Sequence, residues 1–266
     1  MVYEAPATLF AGTEDRYAAY RPPHPAVFVD HIAGLTPDGP ILDLGTGPGS
    51  LAIGLAELGR AVVGVDVNAR MIEVARQRAA DLNLSRDLDF RVGDAHDLSS
   101  LPKVAGVVIG DALHWFDRAK VLRGLDQLVL PGGFVAIVMS FARQTAKPWW
   151  YPLVDRVIYR HLGLARRAGS EELHQEQPGG DHEAVLRGSP FNHVTVLRTD
   201  QRLVLSLDEL IGLQYTHAYS SPAVLGDRLA DFDGDLRRLL LAAEPSGVFS
   251  AMTHPGMIIA RRGEDS

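Results

Sequence analysis

The run Ile41-Leu42-Asp43-Leu44-Gly45-Thr46-Gly47-Pro48-Gly49-Ser50-Leu51 constrains the fold more than any other stretch of the chain. An apolar strand enters a turn with three glycines in five residues, and an amphipathic helix leaves it. Glycine lets a ligand approach the backbone closely and takes positive φ at little cost. The helix that follows aims its free N–H groups and the positive end of its dipole over the turn. This strand–turn–helix unit predicts an α/β fold with a nucleotide-like ligand above the glycines.

The unit repeats along the chain. Ala61-Val62-Val63-Gly64-Val65 is a continuous apolar run, as a strand covered on both faces requires, and it ends in Asp66. Asn68 is placed to cap a helix whose inner face carries Met71, Val74, Ala75 and Leu82. A third strand over 88–92 stops at Gly93-Asp94-Ala95-His96, and a fourth over 104–110 stops at Asp111-Ala112-Leu113-His114-Trp115-Phe116. Asp117 caps the next helix, Pro131-Gly132-Gly133 makes a turn, and a fifth strand follows over 134–139. Such alternation predicts a doubly wound, mostly parallel sheet with helices on both faces. Ligands in these folds bind beyond the carboxyl ends of the strands. Asp43, Asp66, Asp94 and Asp111 stand at or near the carboxyl ends of four different strands, which points to one shared polar site.

The pattern divides the chain into four parts: an N-terminal cap or arm (1–38), a ligand-binding core (39–140), an inserted lid or substrate segment (141–190) and a C-terminal completion of the sheet (191–266). In the arm, Tyr17, Tyr20 and Arg21 either pack or cap the ligand, with Arg21 suited to a carboxylate. The insert holds Pro148-Trp149-Trp150-Tyr151-Pro152, a helix over 153–164 and a breaker-rich run over 169–180. Beyond it lie β-rich segments at 193–197 and 202–205 and helices over 208–219 and 224–241. A last strand over 248–260 is interrupted at His254-Pro255-Gly256.

Composition narrows the partners. The 266 residues carry a net charge of −7, which disfavours a protein that tracks a nucleic-acid backbone. There is no cysteine, so disulfides and thiol catalysis are excluded, and the ten histidines show no metal-ligand spacing. Residues 1–10 lack a basic segment followed by an apolar run, and no apolar run spans a bilayer. A cytoplasmic protein with a small-molecule substrate is expected, free of nucleic acid, membrane and metal, with a homodimer as its assembly.

The turn itself discriminates between ligands. A dinucleotide turn wants Gly-x-Gly-x-x-Gly, and Ser50 stands where its third glycine belongs. Pro48 also removes one N–H donor from the loop. A ligand without phosphates loses less by this. Asp66 can accept both hydroxyls of a ribose, and Asp94-Ala95 can meet an adenine edge through a carboxylate and a backbone N–H.

Five motifs then resemble, in order, those of class I S-adenosylmethionine-dependent methyltransferases: Asp43-Leu44-Gly45-Thr46-Gly47-Pro48-Gly49, Val63-Gly64-Val65-Asp66-Val67-Asn68-Ala69-Arg70-Met71, Gly93-Asp94-Ala95, His114-Trp115-Phe116-Asp117 and Leu130-Pro131-Gly132-Gly133. Tyr20-Arg21-Pro22-Pro23-His24-Pro25 is similar to the N-terminal signature of the small-molecule, trans-aconitate-like (type 11) branch. The likeness runs from about residue 15 to 140. It implies a Rossmann-like sheet of seven strands, the last antiparallel, S-adenosylmethionine as cofactor and S-adenosylhomocysteine as product. Asp43 and the turn residues Gly45, Thr46, Gly47 and Gly49 would cradle the methionine part. Asp66 would hold the ribose, Val67 or Met71 would pack on the adenine, and Asp94, Ala95 and His96 would line its edge. Asp111 and Leu113 would lie near the sulfonium, and Tyr20 and Arg21 would cover the cofactor.

Methyl transfer is a displacement at an activated carbon, so the protein must mainly align the groups and exclude water. His114 is the candidate base for a protonated nucleophile. Trp115, Trp149, His217 and Tyr219 are the candidate substrate contacts. The expected reaction places a methyl group on an O, N or C nucleophile of a natural product or organic acid. The sequence Asp-Ala-Leu-His after strand four lacks the element typical of nucleobase amine methylation. Two alternatives remain: a protein of this fold and cofactor pocket with non-methylating chemistry or a partner-subunit role, and an NAD-dependent oxidoreductase, against which Ser50 and Asp94 speak.

Overall fold

The computed structural model describes residues 6–140, 147–163, 167–168, 171–172 and 182–263. The chain opens with α1 (Glu14–Tyr20) and α2 (Ala26–Ala33), then alternates through β1 (Ile41–Leu44), α3 (Ser50–Glu57), β2 (Val62–Asp66), α4 (Ala69–Asp81), β3 (Leu88–Val92), β4 (Val104–Gly110), α5 (Arg118–Leu128) and β5 (Val129–Met139). After α6 (Tyr151–Leu162) come the two-residue strands β6 (Arg167–Ala168) and β7 (Glu171–Glu172). Then follow α7 (His182–Arg187), β8 (His193–Arg198), β9 (Gln201–Ser206), α8 (Leu207–Gln214), α9 (Pro222–Leu225), α10 (Leu229–Ala243), β10 (Val248–Thr253) and β11 (Gly256–Arg261).

Seven strands form the central sheet in the order β3-β2-β1-β4-β5-β11-β8. The first five are parallel, and β11 runs antiparallel to both β5 and β8. This is the sheet that the resemblance implies. All four residues of β1 are buried, because it lies mid-sheet between β2 and β4 with helices on both faces. Ile41, Phe28, Ile32, Leu55, Ile72 and Phe134 lie in a core shared with α2, α3 and α4. Leu42, Leu44, Val107, Leu122, Leu125, Leu186 and Phe191 lie in the core shared with α5 and α7. The strand order reverses between β1 and β4, and the crevice at such a reversal is where ligands bind. No helix of the described residues is long and apolar enough to cross a membrane.

A third core stands beside the sheet. Trp150, Val154 and Ile158 of the α6 region pack there with Leu205 of β9, Leu210 and Leu213 of α8, Phe232 and Leu236 of α10 and Phe249 of β10. One antiparallel ribbon ties it to the sheet. Arg198 lies opposite Gly256 within the sheet, and three positions further on Gln201 lies opposite Thr253 in the separate β9–β10 pair. The register is therefore unbroken. Only the ladder is interrupted: Thr199 N donates to Pro255 O at 3.2 Å, while Pro255 has no N–H to return, and Asp200 Oδ1 meets His254 Nδ1 at 2.7 Å.

Several elements differ from expectation. The expected last strand over 248–260 is two strands in two sheets. Pro131-Gly132-Gly133 is an irregularity inside β5 rather than a turn before it, since pairing shifts between Val104–Val129 and Gly106–Phe134. The helix expected over 224–241 breaks at Gly226 (φ 53°) into α9 and α10. The helix expected over 208–219 ends at Gln214. Most of the breaker-rich run over 169–180 lies outside the described residues.

Candidate functional site

The glycine turn forms the floor of the site. Gly45 has φ 75°, and a Cβ there would come within 2.7 Å of Ala112 Cβ. Gly47 has φ 53°, and a Cβ there would meet nothing within 4 Å, so this backbone faces open space. Behind the turn Asp43 is 1% exposed. Thr46 Oγ1 donates to its Oδ2 at 2.7 Å, and Ala52 N donates to the same oxygen at 3.2 Å. Burial outweighs these bonds and pushes its carboxyl up to about 7.

Asp66, at the end of β2, accepts from Gly47 N on Oδ2 and from Asn68 N on Oδ1, each at 2.9 Å. Burial raises its pKa, and these N–H groups oppose the rise. A carboxylate has about four lone-pair sites, so two remain for ribose hydroxyls. Asn68 caps α4 through Oδ1, and its Nδ2 donates to Glu14 Oε1 of α1 at 3.0 Å. Beyond β3, Asp94 Oδ1 accepts from His96 N at 2.9 Å and meets His96 Nδ1 at 2.7 Å. Asp117 N donates to His96 Nε2 at 2.9 Å, which leaves the ring proton on Nδ1, toward Asp94. Desolvation lifts the Asp94 carboxyl, but the backbone and ring bonds from His96 carry it below its ordinary value.

These groups surround a cleft of about 850 Å³, counted out to open solvent. Val67, Met71, Ala95 and Phe116 supply apolar walls, and Leu9, Phe10 and Tyr17 close it from the N-terminal arm. A second chamber of about 450 Å³ adjoins it, lined by Tyr17, Arg21, His24, Asp43, Gly45, Thr46, Gly47, Asp111 and Ser140 among others. In it the Arg21 guanidinium lies 4.9 Å from the Tyr17 ring centre, and Nη2 is 3.3 Å from His217 Nδ1. Arg21 Nε is buried with no hydrogen-bond partner, and Arg21 has no carboxylate partner among the described residues. Asp111 takes the left-handed conformation (φ 48°), uncommon outside glycine. It is latched to the end of β5, with Ser140 N donating to Oδ1 at 3.0 Å and Ser140 Oγ to Oδ2 at 2.5 Å.

Asp43, Gly45, Thr46, Gly47, Asp66, Val67, Met71, Asp94, Ala95, His96, Asp111, Trp115 and Arg21 all line one chamber or the other. The remaining candidates lie elsewhere. The Tyr20 ring faces α8, where a Cβ on Gly212 would come within 2.5 Å of it. Gly49 packs under Phe90, and Leu113 is in the core with no exposed surface. His114 stacks with His182 at 6.5 Å and with Trp115 at 4.8 Å, outside both chambers. Trp149 is 48% exposed and donates from Nε1 to Ser250 O on β10. His217 stacks on Tyr219 at 5.1 Å and meets Arg21 Nη2 through Nδ1. Sequence reasoning missed Leu9, Phe10, His24, Asn68 and Ser140 as site residues. It also weighted Tyr20 over Tyr17, although Tyr17 is the residue one helical turn before Arg21. No cluster of metal-ligating side chains occurs among the described residues.

The two chambers ask for a particular ligand. One offers two carboxylates and an apolar slot, which suits a nucleoside. The other offers a cation with an orphaned donor beside a buried acid, which suits an aminocarboxylate. S-adenosylmethionine carries both ends, so the residues present fit it.

Comparison with known proteins agrees. Residues 41–133 match the family described as a methyltransferase domain. A ubiquinone biosynthesis O-methyltransferase of Mesorhizobium japonicum is 36% identical over 145 residues, 54% of this chain and 51% of that protein. The ubiquinone/menaquinone biosynthesis C-methyltransferase of Coxiella burnetii is 32% identical over 114 residues, 41% of this chain and 45% of that one. The chain thus spans about half the length of these curated relatives. A putative type II methyltransferase structure from Anaeromyxobacter dehalogenans shares the fold, with a TM-score of 0.63, 23% identity and coverage of 91% of this chain and 98% of that one. The fold is the Rossmann-like one of that methyltransferase structure. Residues 41–133 thus carry a methyltransferase domain.

Proposed function

We propose that the chain transfers a methyl group from S-adenosylmethionine to an O, N or C nucleophile of a small molecule. The observation that carries this reading is the pair of joined chambers at the strand-order reversal, with Asp66 and Asp94 in one and Arg21 and Asp43 in the other. When bound, the cofactor supplies a methyl group on a positively charged sulfur. The chain's own residues would do the rest. Asp66 would hold the ribose hydroxyls, and Val67 and Met71 would cover the adenine. Asp94, its carboxyl fixed by His96, would accept from the adenine amine. Arg21 would receive the carboxylate of the methionine end, and Leu9, Phe10 and Tyr17 would keep water out. A small acceptor suits a cleft walled on one side by the N-terminal arm, and the relatives named for quinone biosynthesis act in pathways of small molecules.

Calorimetry with S-adenosylhomocysteine tests the reading. Wild-type protein is expected to bind it. Asp66→Ala is expected to weaken binding by ten- to a hundredfold, about 1.4–3 kcal/mol for lost charged hydrogen bonds. No binding by the wild type, or equal binding by the variant, would sink the proposal. Product mass separates methyl transfer, which adds one methylene to the acceptor, from non-methylating chemistry on the same fold.

A further inference from the structure

We infer that His24, oriented through Ser140 by Asp111, is the general base that accepts the proton of a hydroxyl-bearing acceptor; this rests on the methyl-transfer reading above. Tyr17, Gly45, Gly47, Gly110 and Asp111 line both chambers. A ligand that occupies both must cross at this strip, so the reacting sulfur belongs there. His24 stands against the strip: a Cβ on Gly110 would lie 2.9 Å from His24 Nε2. His114, the histidine that sequence reasoning favours, lies outside both chambers.

The hydrogen-bond directions fix the imidazole. Ser140 Oγ gives its hydrogen to Asp111 Oδ2, so it can only accept from His24 Nδ1, 3.4 Å away. The ring proton therefore sits on Nδ1. Nε2 keeps its lone pair, and the one hydrogen bond of the ring among the described residues is at Nδ1. A base held in orientation by a third group is a recurrent way to activate a nucleophile, and here that group is Ser140, itself held by Asp111. The charged and titratable groups around the ring are Arg21 and Tyr17 of the arm, Asp43 at the end of β1 and Asp111 after β4. Burial and Arg21 hold the ring in its neutral form, and Asp111 steadies the charge when a proton arrives.

The step balances. The acceptor oxygen forms the new O–CH₃ bond, the S–CH₃ bond breaks, and its electron pair stays on sulfur and cancels the positive charge there. The acceptor proton passes to Nε2 and later to solvent. An acceptor that is already anionic needs no such transfer.

Nitrogen-detected NMR of the His24 ring in the complex with S-adenosylhomocysteine is the first test. The neutral Nδ1–H form is expected at neutral pH, and Ser140→Ala should change its tautomer balance. An imidazolium at neutral pH overturns the inference. The second test compares phenol with 4-nitrophenol held above its own pKa as acceptor probes. His24→Asn should slow phenol methylation by about 10²–10⁴-fold, the usual worth of a general base, and 4-nitrophenolate methylation far less. Equal loss on both probes, or a matching loss of S-adenosylhomocysteine affinity, makes His24 a cofactor contact and overturns the inference. If neither probe reacts, the ring state alone decides. Failure of the wild type to bind S-adenosylhomocysteine is the separate failure of the methyl-transfer reading.

Discussion

Asp43 shows how one residue can set a pH dependence. In the unfolded chain its carboxyl loses its proton near its ordinary value of 3.8, whereas burial keeps it protonated up to about 7 in the folded protein. Between these values the unfolded state binds fewer protons, so stability falls as pH rises. The slope has a limit of about 1.4 kcal/mol per pH unit for one proton. Asp43→Asn should remove this part of the slope, leaving urea midpoints flatter from the acid range to neutrality. An unchanged slope would show that Asp43 is ionised when folded. At this scale the sequence was half legible. Acids at strand ends and glycines in a turn announce themselves by position. His24 and Ser140 do not, because 116 positions separate them and only the sheet brings them together.

Elements were easier to read than their partners. A buried parallel strand is apolar throughout, so β1, β2 and β4 are plain in the sequence. The run over 248–260 is also apolar, but nothing in it says that its first half pairs with β9 outside the main sheet. The same limit hides the seat of Tyr20. Its ring lies flat against the bare backbone of Gly212, where α1 crosses α8. Gly212→Ala would normally gain about 1 kcal/mol of helix propensity. Here the new methyl would sit 2.5 Å from the ring, and overpacking of this kind costs about 1–3 kcal/mol. A net loss in melting temperature is expected for Gly212→Ala. Adding Tyr20→Ala should recover part of it, because the two positions touch. Strict additivity of the two changes in thermal melts would disprove the contact.

Over the whole molecule, α1 bridges the sheet and the third core. On one side Glu14 accepts from Asn68 at the start of α4, and Asp15 pairs with Arg70 at 3.3 Å. On the other, Tyr20 meets Gly212, Arg21 meets His217 and Arg16 lies 5.8 Å from the Tyr215 ring centre. The segment so tethered carries Tyr17 and follows Leu9 and Phe10, which form the N-terminal side of the larger chamber. On the proposed reading the cofactor enters that chamber past this arm, so binding and arm closure should be coupled. Hydrogen exchange reads the coupling directly. S-adenosylhomocysteine should slow exchange across residues 9–20 as strongly as in the glycine turn. Glu14→Ala leaves Asn68 Nδ2 unpaired, a loss of about 1–3 kcal/mol where such a group is buried. Asn68 Oδ1 still caps α4, so the damage should fall on the arm. Faster exchange over 9–20, a weaker S-adenosylhomocysteine complex and unchanged protection of β1 and β4 are the expected results. Exchange in the arm that ignores the ligand would leave α1 as a fixed strut between two cores, with the cofactor entering by another face.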